Sequence, residues 1–331
     1  MTDFCLHFRH QSVLVTGGFG FLGSNLARRL ADLGARVTVL DSLIPAYGGN
    51  RFNLNGYEDR IHVNIADMRD QHGLNRLVQG QAYIFNLAGQ TSHLDSMQDP
   101  FTDLDINCRS QLHLLEACRQ HNPTVRIVHA STRQAYGKPR YLPVDERHPL
   151  SPVDINGIHK QAGDWYQTLY HRIYGLRTTS LRLTNSYGPR MRVADGRQTF
   201  VGLWLRQLVQ GREILVYGDG RQKRDLNYVD DVVEAILLVA TTPATEGEIY
   251  NLGGHEVISL LELARLLIKL NGEGSCRLVP FPPERKAIDI GDYYADYSKL
   301  QSATGWKPRV TLREGFARTL DYYRQHGSQY W

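Results

Sequence analysis

The stretch that decides the fold is TGGFGFLG, from Thr16 to Gly23. It follows a short apolar run, Val13–Val15, and it precedes a helical stretch that continues to Leu33. Glycines at a strand-to-helix turn let the backbone approach a phosphate group, and the free N–H groups of the following helix point to the same place. The stretch therefore predicts the first βα turn of a Rossmann-type domain, which binds the pyrophosphate of a dinucleotide.

The acid at the end of the next strand indicates which dinucleotide is bound. A second apolar run, Ala35–Leu40, ends at Asp41. A carboxylate at this point can accept hydrogen bonds from both ribose hydroxyls, whereas the 2′-phosphate of NADP would meet a like charge. The sequence therefore predicts NAD as the cofactor.

Strands and helices continue to alternate along the first half of the chain. The pattern predicts strands at Ile61–Val63, Tyr83–Leu87, Arg126–Ala130 and Thr178–Leu183, and helices at Gln71–Val78, Asp103–Gln120 and Asn156–Tyr174. Alternation at this spacing is typical of a doubly wound parallel sheet with helices on both faces. From about Asn185 the pattern loosens into a smaller mixed α/β lobe. We therefore expect a Rossmann domain at 1–184 and a second lobe at 185–331, with some segments returning to the first.

Two further strand ends support the cofactor site. Asp67 and Met68 follow the third strand, where a carboxylate can reach the adenine amino group. Leu87 ends the fourth strand, and Ala88 and Gly89 follow it; the small residues of this segment would let the dinucleotide lie close to the sheet.

Composition excludes several classes of protein. The 331 residues are 42% hydrophobic and 22% charged, which is typical of a globular protein. The net charge of +4 comes from scattered residues and gives no argument for nucleic-acid binding. No CxxC or HExxH pattern is present, so no metal is expected. The first residues lack a signal-peptide pattern, and no run approaches the roughly 20 apolar residues of a membrane span. We expect a cytoplasmic protein.

With these motifs in order, the chain resembles the extended short-chain dehydrogenase/reductases, in the branch of nucleotide-sugar epimerases and dehydratases. The resemblance covers nearly the whole chain. Further motifs that carry it are NLAGQ at Asn86–Gln90, STRQAYG at Ser131–Gly137, LTNSYGPR at Leu183–Arg190, YGDGRQKRDLNYVDD at Tyr217–Asp231 and GWKP at Gly305–Pro308. It implies an NAD-dependent enzyme that acts on a nucleotide-diphosphate sugar. The predicted cofactor-binding residues are then Gly17, Gly20, Phe21, Leu22, Gly23, Asp41, Ser42, Asp67, Met68, Leu87, Ala88, Gly89, Asn107 and Lys160.

The catalytic set that the resemblance implies is incomplete. In the family, a Tyr takes a proton from a sugar hydroxyl while hydride passes to the nicotinamide, assisted by a Ser or Thr and by a Lys four residues after the Tyr. Thr132 matches the Ser/Thr and Lys160 matches the Lys, but Asn156 occupies the Tyr position. An asparagine amide cannot serve as a general base.

Three interpretations of Asn156 stay open. The chain has kept hydride transfer with a different proton carrier, or it performs chemistry at another sugar carbon, or it has lost turnover and become an NAD-responsive binding protein. The first is favoured. Candidate carriers are His93, which follows NLAGQ, and His159, which precedes Lys160, because imidazole titrates near neutral pH.

A second departure concerns the residues after Thr132. In the family's sugar 4,6-dehydratases these two positions are typically acidic, and the acids eliminate water. Here they are Arg133 and Gln134, which disfavours a dehydratase, and a decarboxylase would also carry an acid at Gln134. An epimerase remains by subtraction, with an atypical dehydratase or decarboxylase as the alternative. Arg133 is a candidate ligand for an anionic sugar substituent such as a uronic carboxylate.

The resemblance also assigns residues to the substrate. Asn185, Arg224 and Arg285 match positions that hold the diphosphate, and arginine suits this role because two parallel N–H donors grip phosphate oxygens. Thr199 lies in a segment that follows the sugar nucleotide, and Tyr217 is placed near the base.

A homodimer is expected from the resemblance alone. In the family, helices equivalent to Asp103–Gln120 and Asn156–Tyr174 commonly form a four-helix interface between subunits. Leu112, Leu115 and Leu169 are candidate contacts.

Overall fold

The structure is a computed structural model that describes residues 3–331. These residues form twelve β-strands: β1 (Ser12–Thr16), β2 (Arg36–Asp41), β3 (Ile61–Ile65), β4 (Tyr83–Asn86), β5 (Arg126–Thr132), β6 (Arg177–Leu183), β7 (Asn185–Tyr187), β8 (Ile214–Tyr217), β9 (Lys223–Tyr228), β10 (Ile249–Leu252), β11 (Val257–Ser259) and β12 (Cys276–Val279).

Residues 3–331 also form thirteen α-helices: α1 (Phe4–Phe8), α2 (Phe21–Asp32), α3 (Gln71–Leu77), α4 (His93–Gln98), α5 (Pro100–Leu104), α6 (Ser110–His121), α7 (Ile155–Tyr174), α8 (Phe200–Val209), α9 (Val229–Thr241), α10 (Leu260–Asn271), α11 (Pro283–Ala287), α12 (Ser298–Thr304) and α13 (Leu312–His326). Short 3₁₀-helices lie at Pro45–Tyr47, Arg51–Leu54, Arg133–Tyr136, Pro243–Thr245 and Gly327–Gln329.

Seven strands form one parallel sheet in the order β3-β2-β1-β4-β5-β6-β10. From β1 the chain continues to β2 and β3 on one side of the sheet, and from β4 it continues to β5 and β6 on the other side. The strand order therefore reverses between β1 and β4. Helices that cross over from these two strands diverge and leave a crevice at the carboxyl ends of the strands, which is where such sheets bind ligands. The prediction of a Rossmann-type parallel sheet is confirmed.

Both faces of the sheet are covered, which explains why its strands are apolar runs rather than alternating ones. On β1, Val13 and Val15 pack into the core on one face, whereas Leu14 packs into the core on the other face. All three side chains are fully buried. A polar side chain in place of any of these three residues would therefore be buried in one of the two cores.

The smaller lobe contains two short sheets. One has the order β11-β9-β7, and the other pairs β8 with β12 in parallel. Helices α8, α10 and α13 pack against one another beside these sheets, so the predicted mixed α/β lobe is confirmed. The strand β10, although it follows residue 185, is the edge strand of the seven-stranded sheet. A division between residues 184 and 185 stays a prediction.

The helix expected at Asp103–Gln120 is continuous in the structure but not α-helical throughout. This stretch contains the end of α5, a π-helical turn at Asp105–Arg109, and α6. The wider π turn includes Asn107, which is buried and donates from Nδ2 to the carbonyl of Gln90 at 2.9 Å. A hydrophobic pattern does not record such an inserted residue, because a π turn changes hydrogen bonding without changing the apolar composition.

No helix within residues 3–331 is both long enough and apolar enough to cross a membrane.

Candidate active site

A cleft of about 490 Å³ lies at the carboxyl ends of the large sheet and extends to the smaller lobe. Nearly all of the residues predicted for the cofactor, the chemistry and the substrate line this cleft. The exceptions are Asn107, which lies behind the lining, and the candidate proton carrier His159. The sequence-predicted residues therefore come together at one place.

The glycine turn is built so that backbone meets backbone. Gly17 has a φ of +70°, and a Cβ there would lie 2.9 Å from the backbone of Ala88. A Cβ on Gly23 would lie 2.1 Å from the carbonyl oxygen of Gly17. Gly20 is the N-cap of α2 and provides no side-chain capping bond, so the first N–H groups of a twelve-residue helix remain available to a ligand. The turn fits a pyrophosphate.

Asp41 is fixed at the end of β2. Its Oδ2 accepts a hydrogen bond from the N–H of Phe19 at 2.9 Å, and its Oδ1 accepts one from Leu43 at 2.7 Å. Burial raises the pKa of Asp41, and these backbone donors act in the opposite direction. Two donors from two segments hold the carboxylate beside the glycine turn, in the position that the NAD prediction requires.

The turn after β4 completes this end of the cleft. Thr16 donates to Asn86 at 2.9 Å, and its hydroxyl accepts from the N–H groups of Leu87 and Ala88, both at 3.1 Å. A Cβ at Gly89 would lie 2.7 Å from Nζ of Lys160. Glycine at this position leaves room for the lysine amine to lie against the backbone.

Asp67 lies beside a cation. Its carboxylate lies 2.6 Å from the guanidinium of Arg69, and this contact lowers the pKa of Asp67. Met68 is buried. All three residues line the cleft, but the carboxylate that was expected to face adenine is already paired with Arg69.

Lys160 and Thr132 meet the cleft from α7 and β5. The ammonium of Lys160 is buried and donates to the carbonyl of Ala130 at 3.3 Å. Burial lowers the pKa of Lys160, while Asp103 and Asp164 raise it. Thr132 Oγ1 accepts from the N–H of Gln134 at 3.2 Å, and this bond caps the 3₁₀-helix Arg133–Tyr136.

The amide of Asn156 is tied into the protein. Its Nδ2 donates to the carbonyl of Gln90 at 2.8 Å and to Oδ2 of Asp103 at 3.1 Å. Its backbone N–H donates to the hydroxyl of Ser96 at 3.2 Å. These bonds join the start of α7 to the loop after β4 and to α4 and α5. Asn156 therefore has a structural use in this chain, and its amide cannot carry a proton.

The structure separates the two histidines that were candidates for the missing proton carrier. Nδ1 of His159 lies 2.6 Å from Oδ1 of Asp103, outside the cleft lining. His93, the first residue of α4, lines the cleft with 32% of its side chain exposed. Its Nδ1 lies 3.0 Å from Oδ2 of Asp154, although the angle is poor for a hydrogen bond.

Asp154 is a fully buried carboxylate with several partners. Its Oδ1 accepts from the N–H of Gly157 at 2.6 Å and so caps α7, and its Oδ2 accepts from Nε2 of Gln134 at 2.8 Å. Burial acts to raise the pKa of Asp154, but the nearby imidazole of His93 and the hydrogen bonds from Gly157 and Gln134 outweigh it, and the pKa is lowered. The pair is thus an imidazole at the cleft wall backed by an ionised carboxylate.

The smaller lobe supplies cations to the other end of the cleft. Arg224 is buried, and its guanidinium donates to the carbonyls of Lys223 and Gly291. Burial and the nearby charge of Arg133 lower the pKa of Arg224 to about 10. The guanidinium of Arg285 lies 5.9 Å from the ring centroid of Tyr217.

The polar and aromatic residues beside these cations also fit the assignment. Oδ1 of Asn185 is buried without a hydrogen-bond partner among residues 3–331. Thr199 is the N-cap of α8, and the ring of Tyr217 packs against Phe281 at 5.6 Å.

Comparison with known proteins identifies the family. The model of the NAD-dependent epimerase/dehydratase family matches residues 13–253. The chain belongs to this family. A putative UDP-glucose 4-epimerase of Methanocaldococcus jannaschii is 31% identical over 314 residues, which cover 95% of this chain and 99% of that protein.

Solved structures support the same family for the whole chain. UDP-glucose 4-epimerase of Thermotoga maritima, solved with UDP-glucose, superposes with a TM-score of 0.86 at 31% identity, over 95% of this chain and 99% of that one. dTDP-glucose 4,6-dehydratase of Streptomyces venezuelae, solved with NAD bound, also has a TM-score of 0.86 at 31% identity, over 96% and 98% of the two chains. The predicted NAD-dependent nucleotide-sugar epimerase/dehydratase family is therefore confirmed.

Two buried acids of the epimerase/dehydratase site, Asp154 and Asp103, were missing from the sequence-based predictions. An Asp just before a helical stretch is an N-capping signal, and this signal was available for Asp154 in SPVDING. Nothing in the sequence joins Asp154 to His93, because the contact depends on how α4 packs against α7. Asp103 was predicted only as the first residue of the helix Asp103–Gln120, without a role in the site.

The first prediction concerns cofactor choice. The native chain should bind NAD more tightly than NADP, and Asp41→Ala should narrow the gap about tenfold, because it removes both an acceptor for the ribose hydroxyls and the charge that repels a 2′-phosphate. Calorimetric titration with each dinucleotide measures both affinities. Asp41→Asn, which keeps an oxygen for the backbone donors, separates the loss of charge from the loss of turn structure. Equal affinity of the native chain for the two dinucleotides would contradict the assignment.

Proposed function

We propose that this chain is an NAD-dependent epimerase of a nucleotide-diphosphate sugar, in which His93 replaces the family's tyrosine as the proton carrier. The observation that carries the proposal is the pair of His93 and the buried Asp154 at the cleft wall, 3.0 Å apart. His93 lines the same cleft as Thr132 and Lys160, and Asp154 lies buried behind it. It offers a titratable group where Asn156 offers none.

The chain's own residues provide the proton transfer that epimerisation needs. Oxidation of a sugar carbinol removes a hydride from carbon and a proton from oxygen, and the reverse step returns both, with the hydride added to the opposite face. NAD, when bound, supplies the reversible hydride acceptor. Thr132 would hydrogen-bond the reacting hydroxyl, and His93 would take its proton and later return it. Lys160 would hold the nicotinamide ribose.

Asp154 gives His93 its orientation. Because Nδ1 of His93 faces Asp154, Nε2 is the nitrogen left for a substrate hydroxyl. The carboxylate also stabilises the imidazolium that forms when the proton arrives. Gln134 and Gly157 hold Asp154 in place, so Asp154 is a positioning residue rather than a proton carrier.

An epimerase is favoured over a dehydratase by the residues after Thr132. Relatives of both kinds match this chain. The dehydratase reaction that the resemblance implies needs acids at Arg133 and Gln134, and neither residue is one. The amide of Gln134 is moreover engaged with Asp154 at 2.8 Å. No side chain of this turn is therefore available to eliminate water.

The diphosphate of the substrate would lie between the cations of the smaller lobe. Arg224 and Arg285 line the cleft together with Asn185. Arginine binds phosphate oxygens through parallel N–H donors, and the Nδ2 group of Asn185 can donate to a phosphate oxygen as well.

A homodimer would cover the exposed apolar face of α7. Ile158, Trp165, Leu169 and Ile173 are 42–58% exposed, and their spacing places them on one side of the helix. Leu115, named as a contact from the sequence, is wrong for this role because it is fully buried in the core beside the sheet. A cytoplasmic location stays a prediction from the sequence.

The second prediction tests the proton carrier. Once a panel of nucleotide sugars has yielded a substrate, His93→Ala should lower the single-turnover rate of NADH formation by ~10²–10⁴-fold, the range typical of a general acid–base group. Substrate binding should change little. His159→Ala is the matched control, since it removes the other histidine of this region without changing the cleft lining.

Asn156→Tyr completes that experiment. It need not raise activity, because a tyrosine is much larger than asparagine and would break the bonds to Gln90 and Asp103. Activity that appears only in Asn156→Tyr would instead identify the native chain as a lapsed enzyme, and full activity in His93→Ala would remove His93 from the mechanism.

The third prediction concerns the diphosphate. Arg224→Ala or Arg285→Ala should weaken binding of the nucleotide sugar by roughly 1.5–3 kcal/mol, the scale of a hydrogen bond to a charged group. NAD affinity should stay the same in both variants. Parallel loss of affinity for both ligands would indicate that these arginines only maintain the fold.

The fourth prediction concerns assembly. Light scattering should give a native mass near twice the 37.7 kDa of one chain, and Trp165→Glu should give monomers because a charge in the apolar interface would be left unpaired. Leu6→Glu is the matched control, since Leu6 is 84% exposed on α1. A native monomer, or a Trp165→Glu variant that remains dimeric, would rule out this interface.

A further inference from the structure

Arg133 carries a charge that no residue neutralises by contact. Within residues 3–331 its guanidinium makes neither a hydrogen bond nor an ion pair, and its Nε is buried without an acceptor. The nearest acids, Asp225, Asp289 and Asp154, act on it only at longer range. The side chain as a whole is half-buried in the wall of the cleft. A cation that is partly removed from water without a partner is costly.

The side chain of Arg133 is positioned by contact with an aromatic ring. The guanidinium lies 5.3 Å from the ring centroid of Tyr293, a distance at which the ring face attracts a cation. The hydroxyl of Tyr293 is also buried without a hydrogen-bond partner among residues 3–331. The neighbour in sequence, Gln134, is tied back to Asp154. Of the two long polar side chains in this turn, Gln134 is therefore already hydrogen-bonded, whereas Arg133 is available to bind a ligand.

A second arginine strengthens the positive field at this point. Arg224 is close enough to Arg133 for the charge of Arg133 to help lower its pKa. Arg224, however, already donates to the carbonyls of Lys223 and Gly291 and lies 3.6 Å from Asp289. Arg133 has its whole fork of donors available. Two neighbouring cations, of which Arg133 is unpaired, favour the binding of an anionic group at the sugar end of the cleft.

We propose that Arg133 binds a carboxylate on the sugar ring, so that the substrate is a nucleotide-diphosphate sugar acid rather than a neutral sugar. The inference rests on the proposed function. A planar guanidinium matches a planar carboxylate through two parallel hydrogen bonds. Arg133 directly follows Thr132, the residue proposed to bond the reacting hydroxyl, which places it at the sugar, whereas Arg224 and Arg285 serve the diphosphate.

The test uses two ligands that differ only at the sugar C6 group. UDP-glucose carries a hydroxymethyl group there and UDP-glucuronate carries a carboxylate, so the ratio of their affinities isolates that group whatever base the enzyme prefers. Calorimetry on the NAD-loaded native chain should give at least about tenfold tighter binding of UDP-glucuronate. Arg133→Gln should abolish the preference and leave the affinity for UDP alone unchanged, and Arg133→Lys should keep part of it.

A matched variant controls for charge. Arg197→Gln removes another arginine that lines the cleft but lies near Asp95 and Asp195, and it should retain the preference. A native chain without preference for UDP-glucuronate would overturn the inference. So would an Arg133→Gln variant that loses affinity equally for UDP, UDP-glucose and UDP-glucuronate, because Arg133 would then bind the diphosphate. Failure of the native chain to bind these three ligands and the corresponding dTDP-, CDP- and GDP-sugars would overturn the proposed function, a result distinct from binding without preference.

Discussion

The carboxylate of Asp154 joins the elements on which the proposed chemistry depends. One oxygen caps α7, the twenty-residue helix that carries Asn156 and Lys160. The other oxygen receives Gln134 from the turn after β5 and lies against His93 at the start of α4. A buried carboxylate is tolerated only when it is paired and hydrogen-bonded. The cost of burying Asp154 is thus offset by the same contacts that fix the positions of the helix, the turn and the histidine.

A second buried carboxylate, Asp103, accepts a hydrogen bond from Asn156 and so gives that residue a structural role. It accepts from Nδ2 of Asn156 and lies 2.6 Å from the imidazole of His159. Asn156 therefore makes a specific set of bonds that join α5, α7 and the loop at Gln90. Loss of one partner from such a buried hydrogen bond costs about 1–3 kcal/mol, and more when the group left without a partner is charged. Each acid lies beside one histidine: Asp103 contacts His159 outside the cleft lining, and Asp154 contacts His93 at the cleft wall.

Much of this fold follows from local patterns, and the remainder depends on contacts between distant segments. The glycine turn and Asp41 could be predicted because each function requires a particular residue at a particular strand end. The order of strands β1 to β6 was implied by the alternation of elements. The return of β10 to the large sheet, the π turn at Asp105–Arg109 and the pairing of His93 with Asp154 leave no periodic signal. Leu115 and Leu169 illustrate the same limit, because an apolar residue on a helix reads alike whether it faces the core or a partner.

Chemical rescue is the most direct test of His93 as the proton carrier. In His93→Gly the imidazole is removed from a position that is 32% exposed in the cleft, so free imidazole in solution can reach the vacated site. NADH formation in the first turnover should be slow in His93→Gly and recover in proportion to added imidazole. His72→Gly removes an exposed histidine near the start of α3, outside the cleft lining, and should show neither the loss nor the response. A His93→Gly variant that retains the native rate, or one whose rate imidazole does not restore although substrate still binds, would contradict the assignment of His93 as the proton carrier.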